Sequence, residues 1–193
     1  MSSSNSSLIE RNLNEHLELF SGLLSLAPLV EQASKRIAEA LRSGHKLMLC
    51  GNGGSAADSQ HIAAELTGRF VKDRAPLAAM ALSTDTSALT CIANDYSFDE
   101  VFSRQIRGLG RAGDCLLAIS TSGNSRNVVH AVEAARSVGM STIGLLGRDG
   151  GQLRAGCDLS IVVNSLSTAR IQEAHIFVGH TLCGRIEELL GLA

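Results

Sequence analysis

The chain has 193 residues, 45% of them apolar, and a formal net charge of −2 from 17 basic and 19 acidic side chains. That length suits one large domain with a real core. The balanced charge gives no sign of a nucleic-acid binder's basic face, and no polybasic run marks a membrane-surface helix. Aromatic residues make up 3% and tryptophan is absent, so the core has to be built from Leu, Ile, Val and Ala.

The opening MSSSNSS is polar and reads as a frayed tail over residues 1–7, not as a signal peptide. Leu8, Leu13, Leu17, Phe20 and Leu24 recur at helical spacing and predict a helix as far as Leu26. A second helix is predicted from Pro28, a proline in the first turn, to Arg42, with Gly44 as its stop. Neither helix is needed for the crossovers of a parallel sheet. Residues 1–43 therefore read as a helical extension that packs against another subunit.

From Lys46 the pattern changes. Strands are predicted over 46–51, 77–82, 114–120, 141–147 and 159–163, as short, mainly apolar runs. Helices are predicted over 55–70, 86–93, 98–108, 125–139 and 168–190, with a short helical turn at 151–156. Strands alternating with helices imply a doubly wound, parallel, five-stranded α/β sheet flanked by helices. Unbroken apolar strands fit a sheet buried on both faces. There is no internal repeat and no linker, so residues 1–193 read as one domain.

The five cysteines are widely spaced and form no CxxC. Cys50, Cys115 and Cys183 sit in apolar runs and read as buried thiols of a reducing compartment. No apolar run approaches the ~20 residues a membrane span requires. A cytoplasmic protein with no membrane partner is expected.

Two polar loops fall between a strand and a helix start: CGNGGS at 50–55 and STSGNS at 120–125. Ligands of open parallel sheets bind beyond the carboxyl ends of the strands. Helix amino termini there carry unpaired N–H groups that favour anions. The second loop holds four hydroxyls and no lysine, which suits a phosphate held by dipoles instead of a cation. GNGGS lacks the GK[ST] ending of a nucleotide loop and is not GxGxxG. Taken singly, each serine reads first as a helix cap: Ser55 and Asp58 fit S-x-x-D, and Ser125 can cap its helix. Two such loops at equivalent strand ends move the reading to ligand binding.

Among the six histidines, His16, His45 and His130 read as surface residues and His175 as structural. His61 lies one turn before Glu65. That spacing alone favours an ordinary surface pair, with zinc ligation as the alternative. Gln172 and His180, eight residues apart, share a broad stripe of the last helix.

Together GNGGSAADSQHIAAELTGRF, AND at 93–95, STSGNS and RIQEAHIFVGH resemble the SIS domain family, in its phosphoheptose isomerase branch, over nearly the whole chain. The resemblance implies the SIS fold, a homotetramer with sites at subunit interfaces, and a small sugar phosphate as partner. The implied reaction takes sedoheptulose 7-phosphate to D-glycero-D-manno-heptose 7-phosphate, for bacterial heptose and lipopolysaccharide synthesis. It also implies substrate binding by Asn52, Gly53, Gly54, Ser55, Glu65, Asn94, Asp95, Ser120, Thr121, Ser122, Ser125 and Gln172. Glu65 and His180 would move protons, and His61, Glu65, Gln172 and His180 would hold one zinc ion per subunit.

The same branch contains non-catalytic relatives resembling DiaA, which binds the replication initiator DnaA. Such a scaffold has no need of Glu65 or His180, and both are present here. One departure is Ala169, where some relatives carry an acidic side chain. A distance argument adds an expectation. Ser55 and Glu65 are ten residues apart, ~15 Å along a helix, whereas an extended seven-carbon sugar phosphate reaches about 10 Å. Each site is therefore expected to draw on more than one subunit.

Overall fold

The computed structural model describes residues 7–193. Most of the expected tail, residues 1–6, lies outside the described residues. Ser7 belongs to a helix start: its hydroxyl accepts from the Glu10 backbone N–H, and the Glu10 carboxylate accepts from the Ser7 backbone N–H at 2.6 Å. This capping box opens α1 (Leu8–Gly22), which runs through a 3₁₀ turn (Leu23–Leu26) into α2 (Ala27–Arg42). Gly44 follows with φ +81°, the left-handed conformation that ends a helix.

Five strands then form one sheet: β1 (Leu47–Cys50), β2 (Ala79–Ala81), β3 (Cys115–Ser120), β4 (Ser141–Gly147) and β5 (Leu159–Val163). All neighbours are parallel and the order is β2-β1-β3-β4-β5. The crossovers carry α3 (Gly54–Thr67), α4 (Thr86–Asp95), α5 (Ser103–Leu109), α6 (Arg126–Ser137) and α7 (Leu153–Gly156), and α8 (Thr168–Leu190) closes the chain. The segment 98–108, expected as one helix, is a 3₁₀ turn (Phe98–Glu100) followed by α5.

Alternate residues of each strand face opposite layers. Leu47, Leu49, Leu117, Ile119, Ile143 and Leu145 are buried against α2, α3 and α8, including Ile37, Ile62, Leu66, Val178 and Leu182. Met48, Cys50, Leu116, Ala118 and Leu146 are buried against α5 and α6, including Ile106, Val128 and Val132. Both faces of the central strands being covered, β1, β3 and β4 are mainly apolar along their length, while the edge strand β5 alternates between buried and half-buried residues. Each large aliphatic side chain so buried contributes about 1.5–3 kcal/mol.

Helix α1 has no buried residue. Leu19 and Phe20 pack against Val163, Ile171 and Ala174, while Leu8, Ile9, Leu13 and Leu17 are all more than half exposed. Among the described residues no helix is long and apolar enough to cross a membrane.

Candidate active site

With strand order 2-1-3-4-5, the helix after β1 and the helix after β3 leave the sheet on opposite faces: α3 joins α2 and α8, and α6 joins α5. The crevice between them opens at the carboxyl ends of two neighbouring strands, where Cys50 pairs with Ala118. This is the switch point at which doubly wound sheets bind ligands. The CGNGGS and STSGNS loops flank it from its two sides.

The serine caps expected from S-x-x-D are not formed. The N-cap of α3 is Gly53, with φ +54° and no side-chain cap, and Ser55 is a buried residue inside the first turn. Ser125 does N-cap α6 by position, but its side chain makes no cap hydrogen bond. Its hydroxyl lies 3.3 Å from that of Ser120, which is 3.5 Å from that of Ser122. Ser120 Oγ also accepts from the Gly123 N–H at 3.1 Å, which folds the loop back over the hydroxyls. Gly123 has φ +66°, and a Cβ there would strike the Gly150 carbonyl, so only glycine closes this turn. The three hydroxyls thus converge at the start of α6, beside N–H groups that the helix itself does not use. Thr121 is half-buried in the same loop.

A pair of amides locks the two loops together. Asn52 Nδ2 donates to Asn127 Oδ1, and Asn127 Nδ2 donates to Asn52 Oδ1, both at 2.8 Å. Asn127 is buried. Each amide keeps one N–H and one lone pair for other partners.

The metal-ligand candidates divide. His61 on α3 and His180 on α8 face each other with their Nε2 atoms 2.8 Å apart. Glu65 Oε1 lies 3.4 Å from His61 Nε2. All three donors stand within 4.8 Å of one another. Tetrahedral zinc with bonds of about 2.0–2.1 Å sets its donors roughly 3.3 Å apart, so these residues fit a zinc ion and leave one position open. Gln172 lies elsewhere in the chain. Its amide packs on Gly54, so closely that a Cβ there would clash with it. Eight residues from His180, it stands ~12 Å up the helix, at the loop end of α3.

Asp58, one turn before His61, has one carboxyl oxygen buried without a hydrogen-bond partner. Burial raises its pKa, and His61 and His180 pull it partly back. Asn94 and Asp95 end α4 in exposed positions, where Asn94 Nδ2 donates to Asp95 Oδ1 at 2.8 Å. His175 is fully buried on the sheet side of α8, and burial lowers its pKa to about 4. The Leu146 carbonyl lies near its ring but outside full hydrogen-bond alignment. His16 stacks on Phe20 with ring centroids 3.8 Å apart and pairs with Glu173 at 2.8 Å, so it is tied to α8 instead of standing free.

Asn127, Arg74, Glu187 and Phe70 entered through the structure alone. Asn127 had a faint signal, an amide in the first turns of a helix whose neighbours Val128 and Ala131 are core residues. Glu187 shared that kind of signal, an acid on the buried stripe with Cys183 and Ile186. Arg74 had none, since it lies in a loop of mixed charge.

The sheet order defines a doubly wound α/β domain, and the hydroxyl-rich loops at its switch point have the donors to suit an anion. Comparison with known proteins narrows that class. The SIS domain family model matches residues 15–147. The phosphoheptose isomerase of a Nitratiruptor species is 56% identical over 181 residues, 93% of this chain and 97% of that one. That of Campylobacter concisus is 53% identical over 181 residues, 94% of this chain and 96% of that one. The structure of phosphoheptose isomerase GmhA from Neisseria gonorrhoeae superposes with a TM-score of 0.89 at 48% identity, covering 94% of this chain and 100% of that one. The chain belongs to the SIS domain family, in its phosphoheptose isomerase branch.

Proposed function

We propose that the protein is a ketose–aldose isomerase that converts sedoheptulose 7-phosphate to D-glycero-D-manno-heptose 7-phosphate through an enediol. The observation that carries this is the convergence of His61, Glu65 and His180 on the two helices that also flank the anion loop. The hydroxyls of Ser55, Ser120, Thr121, Ser122 and Ser125, with the backbone of Asn52, Gly53 and Gly54, hold the phosphate. Asn94, Asp95 and Gln172 line the sugar. Isomerisation moves a proton from C1 of the ketose to C2 of the aldose, and needs a base at carbon and an acid at oxygen. Glu65 takes the proton from C1 and returns it to C2. His180 supplies and recovers the proton at the oxygens. A zinc ion held by His61, Glu65 and His180 would polarise the carbonyl and stabilise the enediolate oxygens.

Within one chain these two halves are too far apart. Ser55 and Glu65 are separated by ~15 Å of helix, against about 10 Å for the substrate. We therefore place each site between two chains, with Gln172 of one chain completing the donor set of the next. The exposed Leu8, Ile9, Leu13 and Leu17 of α1 supply an apolar face for packing in a homotetramer. The five free cysteines, three of them buried, fit the reducing cytoplasm, where sugar phosphates are made and kept.

The test is incubation of the purified protein with sedoheptulose 7-phosphate, with and without a chelator, and detection of an aldoheptose phosphate. Turnover that stops on chelation and returns with zinc supports the reading. A protein that stays inactive after zinc is added back would favour a DiaA-like scaffold.

A further inference from the structure

The segment between α3 and β2 carries a polar clamp that the chemistry above does not use. Arg74 Nε donates to Glu187 Oε1 at 2.6 Å, and the two side chains are 2% and 1% exposed. The rest of the guanidinium caps the end of α3: Nη2 donates to the Glu65 carbonyl at 2.9 Å, and Nη1 to the carbonyls of Leu66 at 2.8 Å and Gly68 at 3.3 Å. Glu65 and Leu66 are among the carbonyls that lack an intrahelical partner at the carboxyl end of a helix, and Leu66 also accepts from the Leu77 N–H at 3.0 Å. Glu187 Oε1 also accepts from the Phe70 N–H at 3.2 Å, and the Phe70 ring lies 5.7 Å from that of His180.

We infer that Arg74 and Glu187 are positioning residues of the isomerase: their buried ion pair ties the carboxyl end of α3 to α8 and so sets His61 and Glu65 against His180. This rests on the isomerase reading. A cap serving α3 alone needs no acid from another helix. This one reaches across to the helix that carries His180, two turns beyond that residue. Its far oxygen, Glu187 Oε2, is buried with no hydrogen-bond partner. The chain thus keeps a charge in its interior where a hydrophobic pair would serve packing equally well.

The test uses Co(II) as a visible-absorbing probe, with the full-length wild type, Arg74→Lys, and the double variant Arg74→Met/Glu187→Leu. The double variant removes both charges together, so no unpaired ion remains to unfold the protein. Metal affinity, kcat, KM and the Tm of metal-free protein are measured on each. We expect the double variant to melt cooperatively but below the wild type, since three carbonyls lose a donor, to bind Co(II) at least tenfold more weakly and to lose at least tenfold in kcat, with KM within about twofold. Arg74→Lys, which keeps the charge but cannot reach three carbonyls, should fall between. A double variant with wild-type Co(II) affinity and kcat would reduce the clamp to a packing device and overturn the inference. If the double variant is insoluble, Arg74→Lys decides by the same comparison. A wild type that neither binds Co(II) nor isomerises the sugar would overturn the isomerase reading itself, which the variant comparison alone does not touch.

Discussion

His61 and His180 meet Nε2 to Nε2 at 2.8 Å, from helices whose sequence positions are 119 residues apart. Two imidazole lone pairs this close repel unless a proton or a cation lies between them. With Glu65 beside them, the three donors fit a divalent metal ion, as the proposed reaction would use. Metal analysis of purified protein should find about one zinc per chain. Replacing His61 by Ala should lower zinc content and turnover together, by about 100-fold in rate. Full zinc content in His61→Ala would remove this residue from the ligand set.

The amide pair between Asn52 and Asn127 predicts a binding defect with little change in chemistry. In Asn127→Leu the Asn52 amide loses both partners and the two loops are no longer held to each other. Asn52 is half-buried, so water takes up part of the loss and the cost stays at the low end of about 1–3 kcal/mol. Phosphate affinity should fall and KM should rise about tenfold, with kcat changed less. A variant with unchanged KM would show that the pair does not shape the anion site.

The split between the phosphate loop and the donor set predicts which inactive variants rescue each other. Glu65→Ala and His180→Ala damage the same cluster of one chain, so a mixture of them should stay inactive. Glu65→Ala mixed with the double variant Ser120→Ala/Ser125→Ala should regain part of the wild-type rate after the subunits are reshuffled. Recovery in the first mixture, or none in the second, would contradict a site built from two chains.

Burial of His175 predicts a pH effect on stability. Its pKa is about 4 in the fold, against an unfolded value near 6.5. Between those values the unfolded chain binds the extra proton, so stability is full above pH 6.5 and is lost as pH falls towards 4. The complete loss is on the order of 3 kcal/mol, of which about 2 falls between pH 7 and pH 5. Urea unfolding at those two pH values should show a difference that shrinks by about this much in His175→Gln. An unchanged difference would assign the acid sensitivity to other groups.

The strands were readable because the central ones, covered on both faces, are mainly apolar runs, and β4 and β5 have the bounds expected of them. The long helix α8 was equally legible. The serines were harder. A Ser at a helix start is a cap or a ligand with the same local pattern, and only the convergence of Ser120, Ser122 and Ser125 separates the two. His61 with Glu65 looked like a surface pair because the third member, His180, comes from a distant helix. Arg74 and Asn127 act through partners 113 and 75 residues away, a pairing set by tertiary packing that local spacing does not encode.

Gln172 against Gly54, Ile62 against Gly179 and His61 against His180 show that α3 and α8 lie side by side and run in the same sense. Their peptide dipoles therefore add instead of cancelling, a standing self-repulsion within the fold. An anion at the shared amino-terminal end, where Gln172 meets Gly54, relieves it and feels the field of both helices at once.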